Sequence, residues 1–470
     1  VPLGALAVVV ATATIVGCAS RTAPVEMPAA PPPAFSTSGS VPAPARWWTA
    51  FGDPTLDALV EEALRSNDGL ATAWYRLRAA RALAERAGSN LFPDLDAELG
   101  ATVFSSEGEN GGGDLTDAFD GGSGEELRLG LAAAYEVDLW GRVRAGVEAE
   151  ELRAEAAESD YRSAALSLAA EVARTWFQLL EAREQLALID RQIEANAKAA
   201  RLLENRFGGG QVRGVDILRQ RQLVEATREE RLVAQSRLAV LSHLLAVLLG
   251  RAPRAEPPAA PAALPELPPR PETGLPAELI QRRPDLLAAH RRLRAADRDL
   301  AVAVAERYPR LTLTASVATE DGGGAELFDD WVRSLSAGLL APVFRAGELE
   351  AEAERAEALA RQRLHEYAEA TLVAWREVED ALVQEARQLE RVRSLETQLR
   401  LAEQAYGQLR IEYLNGQRGY VDPLLALADQ QELGRGLISA RRTLLEFRIA
   451  LYRALAGGFD PGTPDAEEPK

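Results

Sequence analysis

The chain has one cysteine, Cys18, so no disulfide can form within it. Its three histidines, His243, His290 and His365, stand far apart in helical sequence, and only tertiary accident would gather them around a metal. Lysine is nearly missing: Lys198 and Lys470 are the only two, and arginine supplies the other basic charge. With 53 basic against 71 acidic side chains the net charge is −18. That balance argues against electrostatic binding of nucleic acid or anionic lipid, since both need a basic surface. Residues 142–206 contain no proline and, after Gly146, no glycine, so the two strongest helix breakers are missing from a very long stretch.

What is present begins with residues 1–17, an uncharged run rich in Ala and Val that ends in small residues. No charge cluster follows it, which is the pattern of an export signal rather than a stop-transfer helix. Ile15-Val16-Gly17-Cys18 has the form of a bacterial lipobox, making Cys18 the expected site of lipidation and the mature N-terminus. Ala19 stands where inner-membrane retention would favour Asp, so the outer membrane is the expected destination. Residues 18–46, rich in Pro, Ala and Ser, read as a tether too poor in bulky apolar side chains to fold.

Self-comparison shows a duplicated unit. Arg76-Leu77-Arg78-Ala79-Ala80 recurs as Arg292-Leu293-Arg294-Ala295-Ala296, and the same offset of 216 pairs Pro93 with Pro309. Beyond that the offset is 206, pairing Gly141 with Gly347, Gln178 with Gln384, Gly210-Gln211 with Gly416-Gln417, and Val215-Asp216 with Val421-Asp422. The first copy therefore carries ten extra residues, placed in the glycine-rich segment 108–124. The expected organisation is a first repeat over 47–251 with a hairpin at 95–139 and a helical hairpin at 142–250. A proline-rich linker follows at 252–276, then a second repeat over 277–458 with a hairpin at 311–343 and a helical hairpin at 348–456, and a tail at 459–470.

After Pro93, Leu95, Ala97, Leu99, Ala101 and Val103 alternate with polar residues, and Leu127, Leu129, Leu131, Ala133, Tyr135 and Val137 do the same. This period of two marks strands. Leu311, Leu313, Ala315 and Val317, then Leu335, Ala337 and Leu339, repeat it in the second copy. Strands of about ten residues with one apolar face suit an outer-membrane barrel, although two soluble hairpins packed on helices would read alike. Four strands cannot close a membrane barrel, because unpaired edges are not tolerated in lipid. A membrane role therefore requires oligomerisation, and a trimer would supply twelve strands.

Past Gly141 the uninterrupted stretch 142–206 and its counterpart 348–412 read as helices roughly 100 Å long at about 1.5 Å per residue. Glycine turns at Gly208, Gly209 and Gly210, and at Gly416, lead into return helices at 217–249 and 424–455. A soluble antiparallel coiled coil would share this pattern but leaves the hairpins and the lipobox unexplained. Gly209 and Gly214 have the separation of a P-loop, yet Val215 and Asp216 follow where Lys and Ser or Thr are needed, and an aspartate repels phosphate. Asp114, Asp117 and Asp120 are spaced by three, unlike a calcium-binding EF-hand loop. No carboxylate pair singles itself out as an acid and base. Neither an enzyme nor a cofactor is expected. The aspartates after the turns, Asp216 and Asp422, are placed to cap the return helices.

The order of these segments resembles the TolC/OprM-like outer-membrane factors, and most closely their lipoprotein (NodT-type) branch serving RND efflux. The resemblance rests on Tyr135-Glu136-Val137-Asp138-Leu139-Trp140-Gly141-Arg142, on Arg206-Phe207 through Asp216-Ile217-Leu218, and on Arg282-Arg283-Pro284-Asp285-Leu286. It implies an α+β membrane protein: a homotrimer whose long helical hairpins form a periplasmic α-barrel and whose four strands per chain build a 12-stranded outer-membrane β-barrel. It further implies a passive exit duct fed by an inner-membrane RND-type pump through a periplasmic membrane-fusion adaptor. A type I protein-secretion channel shares the fold, and a non-conducting periplasmic scaffold or adaptor is the alternative from another class. The family places a periplasmic gate at the glycine turns, and residue by residue Asp216, Tyr413 and Arg418 fall on its polar links. Val215 stands where the family has a hydroxyl partner for the arginine, which leaves Arg418 without an assigned partner; Glu348 stands where many relatives carry arginine, so no role is carried there, and Pro423 beside Asp422 is unusual.

Overall fold

Proline and short side-chain caps set where the helices begin and break. In the computed structural model, which describes residues 30–105, 123–253, 263–321, 328–455 and 459, Asp53 accepts the amides of Thr55 and Leu56 at 2.9 and 3.3 Å and starts helix α1, Pro54–Ser66. Asn67 breaks the chain and caps the amide of Leu70 at 2.9 Å, so that α2 continues over Asp68–Ser89. The second copy repeats this with α5, Pro276–Arg282, and α6, Pro284–Ala305, with Pro284 forcing the break. Cys18, the export signal, the three aspartates of the glycine-rich insertion and most of the C-terminal tail lie outside the described residues.

The chain forms two compact units, one drawn from Ala84–Leu152 and Leu293–His365, the other holding the rest of the described residues. In the first, β1 (Asp94–Ser105), β2 (Ser123–Val137), β3 (Arg310–Asp321) and β4 (Trp331–Leu340) make one antiparallel sheet in sequence order. The two hairpins are thus joined through β2 and β3, with Ala133 opposite Ala315 and Tyr135 opposite Leu313. Strands β1 and β4 are left as free edges.

The motif Glu136 to Arg142 is the corner between β2 and the long helix α3, Arg142–Gly208. Asp138 accepts the first free amides of α3, from Val143 at 3.1 Å and Arg144 at 2.9 Å. Arg142 grips Glu136 through two bonds of 3.0 and 2.7 Å, Gly141 supplies a left-handed φ of 77°, and Trp140 stacks on Tyr308 while donating to the Pro309 carbonyl. The motif is a strand-to-helix joint.

The second unit is helical: the outer part of α3, α4 (Gly214–Leu248), the corresponding part of α7 (Glu348–Leu414) and α8 (Val421–Leu455) pack with α1 and α5. Its largest core is aromatic, with Trp47 stacked on Tyr452 and Phe51 set edge-on to Phe177. Trp176 is fully buried and donates to Asp53 at 2.7 Å, so one carboxylate both starts α1 and fastens it to α3. The Arg283-Pro284-Asp285 motif is a similar fastening: the buried Arg283 guanidinium holds Asp285, Glu377 and the Ala454 carbonyl.

The expectation of an unfolded tether fails over its last part. Phe35 is buried among Leu279, Leu286, Trp375 and Leu451, and Val41 bridges Pro271 in the linker, so the two proline-rich segments bind each other. Backbone bonds Gly39 N to Pro271 O, 3.0 Å, and Glu272 N to Val41 O, 2.8 Å, satisfy groups that composition alone leaves to water.

The linker is held from beneath by Arg448, 2% exposed, whose guanidinium forks onto Glu385 at 2.7 and 3.0 Å and also donates to the carbonyls of Pro268 and Pro269. Arg270 adds a second cation to Glu385 at 2.9 Å. Removing Arg448 leaves Glu385 with Arg270 alone and takes the donor from the Pro268 and Pro269 carbonyls, at a cost of up to about 3–5 kcal/mol. Arg448→Ala is expected to lower the urea midpoint of the detergent-solubilised protein sharply, and Arg448→Met combined with Glu385→Gln to recover most of the loss; equal loss in both variants would contradict the pairing.

Candidate functional site

Both helix reversals end in the same hydrogen-bond pattern. At the first, Gly210 N donates to Phe207 O at 2.8 Å and Gln211 N to Arg206 O at 3.0 Å; at the second, Gly416 N donates to Tyr413 O at 3.0 Å and Gln417 N to Glu412 O at 2.9 Å. These are Schellman closures, which require a left-handed residue just past the helix. Gly210 and Gly416 supply it with φ of 71° and 75°, and space is open around both, so conformation alone demands glycine there. Gly208 is the last residue of α3, and neither it nor Gly209 has a positive φ.

The two reversals pack on each other through Leu203, Ile217, Tyr413 and Tyr420. Tyr413 and Tyr420 meet edge to face at 5.2 Å, Arg206 lies 5.2 Å over the Tyr413 ring, and its guanidinium donates to Leu414 O at 3.2 Å. Across the pair, the Tyr420 hydroxyl donates to Gln220 Oε1 at 2.6 Å. Burial pushes the Tyr420 phenol well above its ordinary pKa, with Tyr406, Tyr413 and Asp216 adding to the shift, so the hydroxyl stays protonated and able to donate.

Asp216 is buried and accepts from the Arg213 guanidinium at 3.2 and 3.3 Å. It does not cap α4, contrary to expectation: the helix begins at Gly214, Arg213 occupies the cap position without a side-chain bond, and Asp216 already lies in the first turn. There it favours the helix dipole instead. Asp422 holds the same place in α8 and accepts from Arg418 at 3.3 Å. Arg418, whose partner was unassigned, also donates to Glu412 at 2.7 Å, and both carboxylates raise its pKa. The Tyr413 hydroxyl is buried with no hydrogen-bond partner among the described residues. Asp216, Tyr413 and Arg418 thus lie at the reversals, each with its own surroundings.

The sheet has two distinct faces. On β2 every second residue from Val137 back to Leu127 is apolar, ten residue steps or about 33 Å along the strand, hence about 25 Å tall at a 40° tilt. That is the height of a lipid-facing band. Leu95 and Leu335 lie in a row of this face, 71% and 83% exposed, and Arg333 opposite Val317 is a charged interruption on the edge strand. The other face carries Asp94, Asp96 and Glu98 and two hydroxyl pairs across β3 and β4, Thr314 with Ser336 and Ser316 with Ser334. At the helix end of the sheet each strand is flanked by an exposed aromatic: Phe92, Trp140, Tyr308 and Phe344. Such residues favour the boundary between hydrocarbon and water.

The sequence profile of the outer membrane efflux proteins matches residues 59–251 and 275–457, both copies in turn. The chain belongs to that family. It is 32% identical over 425 residues to the pyoverdine export outer membrane protein OpmQ of Pseudomonas aeruginosa, covering 88% of this chain and 87% of that one. It is 29% identical to the toluene efflux pump outer membrane protein TtgI of Pseudomonas putida, over 87% and 86% of the two chains. The solved outer-membrane channel OprN superposes with a TM-score of 0.85 at 30% identity, over 92% of this chain and 98% of its own. As a member of the family the chain is an outer-membrane protein serving as the exit duct of an efflux system, and the band height and aromatic flanks of its sheet suit that location.

Tyr420, Gln220, Arg206 and Arg213 were not anticipated as tip residues. One signal was present: Ile217, Gln220, Val224 and Thr227 recur at helical spacing, placing two polar side chains on the buried stripe of α4. The glycine geometry gives a test. Gly210→Ala puts a Cβ on a left-handed residue and is expected to cost about 1–2 kcal/mol locally, whereas Gly208→Ala should be neutral or stabilising by up to about 1 kcal/mol. Amide hydrogen exchange at the reversal should accelerate only in Gly210→Ala; equal exchange in both variants would refute the assignment.

Proposed function

We propose that three copies of the chain together form a conducting duct for small molecules, anchored by lipid on Cys18, that takes substrate from an inner-membrane RND-type pump through a periplasmic adaptor and has no chemistry of its own. The observation that carries this is the sheet: four membrane-height strands with two unpaired edges, β1 and β4, in one chain. In hydrocarbon those edges need partners, and β4 of one copy beside β1 of the next supplies them. Exposed apolar side chains on α4, among them Val233, Val240, Leu244 and Val247 at helical spacing, support further contact between copies. Relatives named for export of pyoverdine and toluene favour small molecules over secreted protein.

In this proposal the polar sheet face lines water, the reversals at Gly208–Gly210 and Gly416 are the periplasmic tips, and the adaptor docks there. Tyr413, Arg418, Asp216 and Asp422 are the polar latch of this reading, and what supports it is that all four lie at the reversals, with Arg418 half-exposed.

Native mass spectrometry of the detergent-extracted protein should give the mass of three chains; a strictly monomeric species would overturn the assembly. For the gate, the Tyr413→Phe, Arg418→Ser double variant should raise single-channel conductance in planar bilayers, and unchanged conductance would remove these residues from it.

A further inference from the structure

A run of buried polar side chains leads inward from the tips. Tyr420 donates to Gln220 Oε1 at 2.6 Å, and Gln220 Nε2 donates to the Asn196 carbonyl at 2.8 Å. Asn196 and Gln431 exchange two amide bonds, Asn196 Nδ2 to Gln431 Oε1 at 3.1 Å and Gln431 Nε2 to Asn196 Oδ1 at 2.9 Å. Asn196 Nδ2 also reaches Thr227 Oγ1 at 3.0 Å. A further rung has Gln192 Nε2 donating to the Gln431 carbonyl at 3.2 Å and Gln192 Oε1 accepting from Arg435 at 2.8 Å, while Arg435 pairs with Glu230 at 3.0 Å. Gln220 and Asn196 are fully buried, and Thr227, Gln192 and Gln431 nearly so.

These residues come from three elements: α3 and α4 of the first copy, and α8 with the residue before it in the second. Apolar packing between Ala- and Leu-rich helices is tolerant of sliding, since one aliphatic contact replaces another. Reciprocal amides are not. Moving α8 by one turn, about 5.4 Å, would set Leu427 or Arg435 against Asn196 and break both bonds of the Asn196–Gln431 pair.

We propose that Tyr420, acting through Gln220 and the Asn196–Gln431 pair, is an intrachain clasp that fixes the register of α8 against the α3–α4 hairpin, so that the two tips part only when it breaks. The inference deepens the gate proposed above and rests on it for its consequence in conduction. Tyr420 is the tip end of the run: it stands at the turn, its buried ring belongs to the apolar cluster, and only its hydroxyl enters the polar chain. Tyr413 makes the informative comparison, since it shares that cluster but its hydroxyl bonds nothing among the described residues.

The test measures the spacing of the tips in the full-length protein. Nitroxide labels at Leu218→Cys on α4 and Leu425→Cys on α8, both exposed, are read by pulsed electron–electron resonance in a Cys18→Ser background diluted with unlabelled protein. The parent should give one narrow distance distribution. Tyr420→Phe and Gln220→Leu should each broaden it, adding a component displaced by up to about one helical turn, 5 Å, and the double variant should broaden it no further than the larger single change. Tyr413→Phe should leave it narrow. A parental distribution in Tyr420→Phe, or equal broadening in Tyr413→Phe, overturns the clasp whatever conductance does. Broadening in Tyr420→Phe without a rise in conductance would leave the clasp standing and remove the gate.

Discussion

A strand edge cannot face hydrocarbon, because each unpaired N–H and C=O there has no water to bond. The rest of the structure follows from how one chain meets that constraint with only four strands. The duplication gives two hairpins, and joining β2 to β3 removes two of the four edges, leaving β1 and β4 for a neighbour. The sheet therefore has every internal bond made but no closed surface, and its apolar residues remain largely exposed in the single chain. In the proposed trimer the same contact pairs the edges and separates lipid from lumen.

The helical unit solves a different problem. Long Ala-rich helices pack closely but specify position along their axes poorly, and the chain corrects this with polar pairs at intervals: the buried pairs Arg448 with Glu385 and Asn196 with Gln431, and buried Glu181 with the half-exposed Arg237. Isolated buried ion pairs are weak sources of stability, and their better-attested use is in fixing register. Here each joins different helices, and Arg448 also binds the proline-rich linker, so register and the connection between repeats are set at one point.

Much of this was legible in sequence because the controlling rules are local. Missing proline and glycine marked α3 and α7 to within two residues, and alternation located all four strands. Gly210 and Gly416 were legible as reversals, but Gly208 and Gly209 could not be told apart from Gly210, since only the closing bonds show which residue turns left-handed. Asp216 was misjudged as a cap because a helix start is uncertain by a residue or two, enough to move a carboxylate from capping to the first turn. The folded part of the tether was missed because the linker segment it pairs with lies more than two hundred residues away, and Tyr420 with Gln220, themselves 200 residues apart, escaped for the same reason. Long-range pairing leaves no mark in local composition.

The two copies have also diverged where the difference can be explained physically. At the first strand-to-helix corner, Glu136, Asp138, Trp140 and Arg142 satisfy one another and the helix start. The aligned second corner has Pro342, Phe344, Ala346 and Glu348, with Ala346 held at a φ of 47° that an L-residue adopts only at a cost. No counterpart of the Arg142–Glu136 pair can form there, and Val343 and Phe344 stand 95% and 85% exposed. A strained, uncovered corner thus stands beside the free edge β4, while the corner whose strand is paired on both sides is closed by its own side chains. That asymmetry suits the proposed assembly through β4: the joint inside the chain holds itself, and the joint at the proposed seam offers an apolar surface for lipid and the next copy to complete.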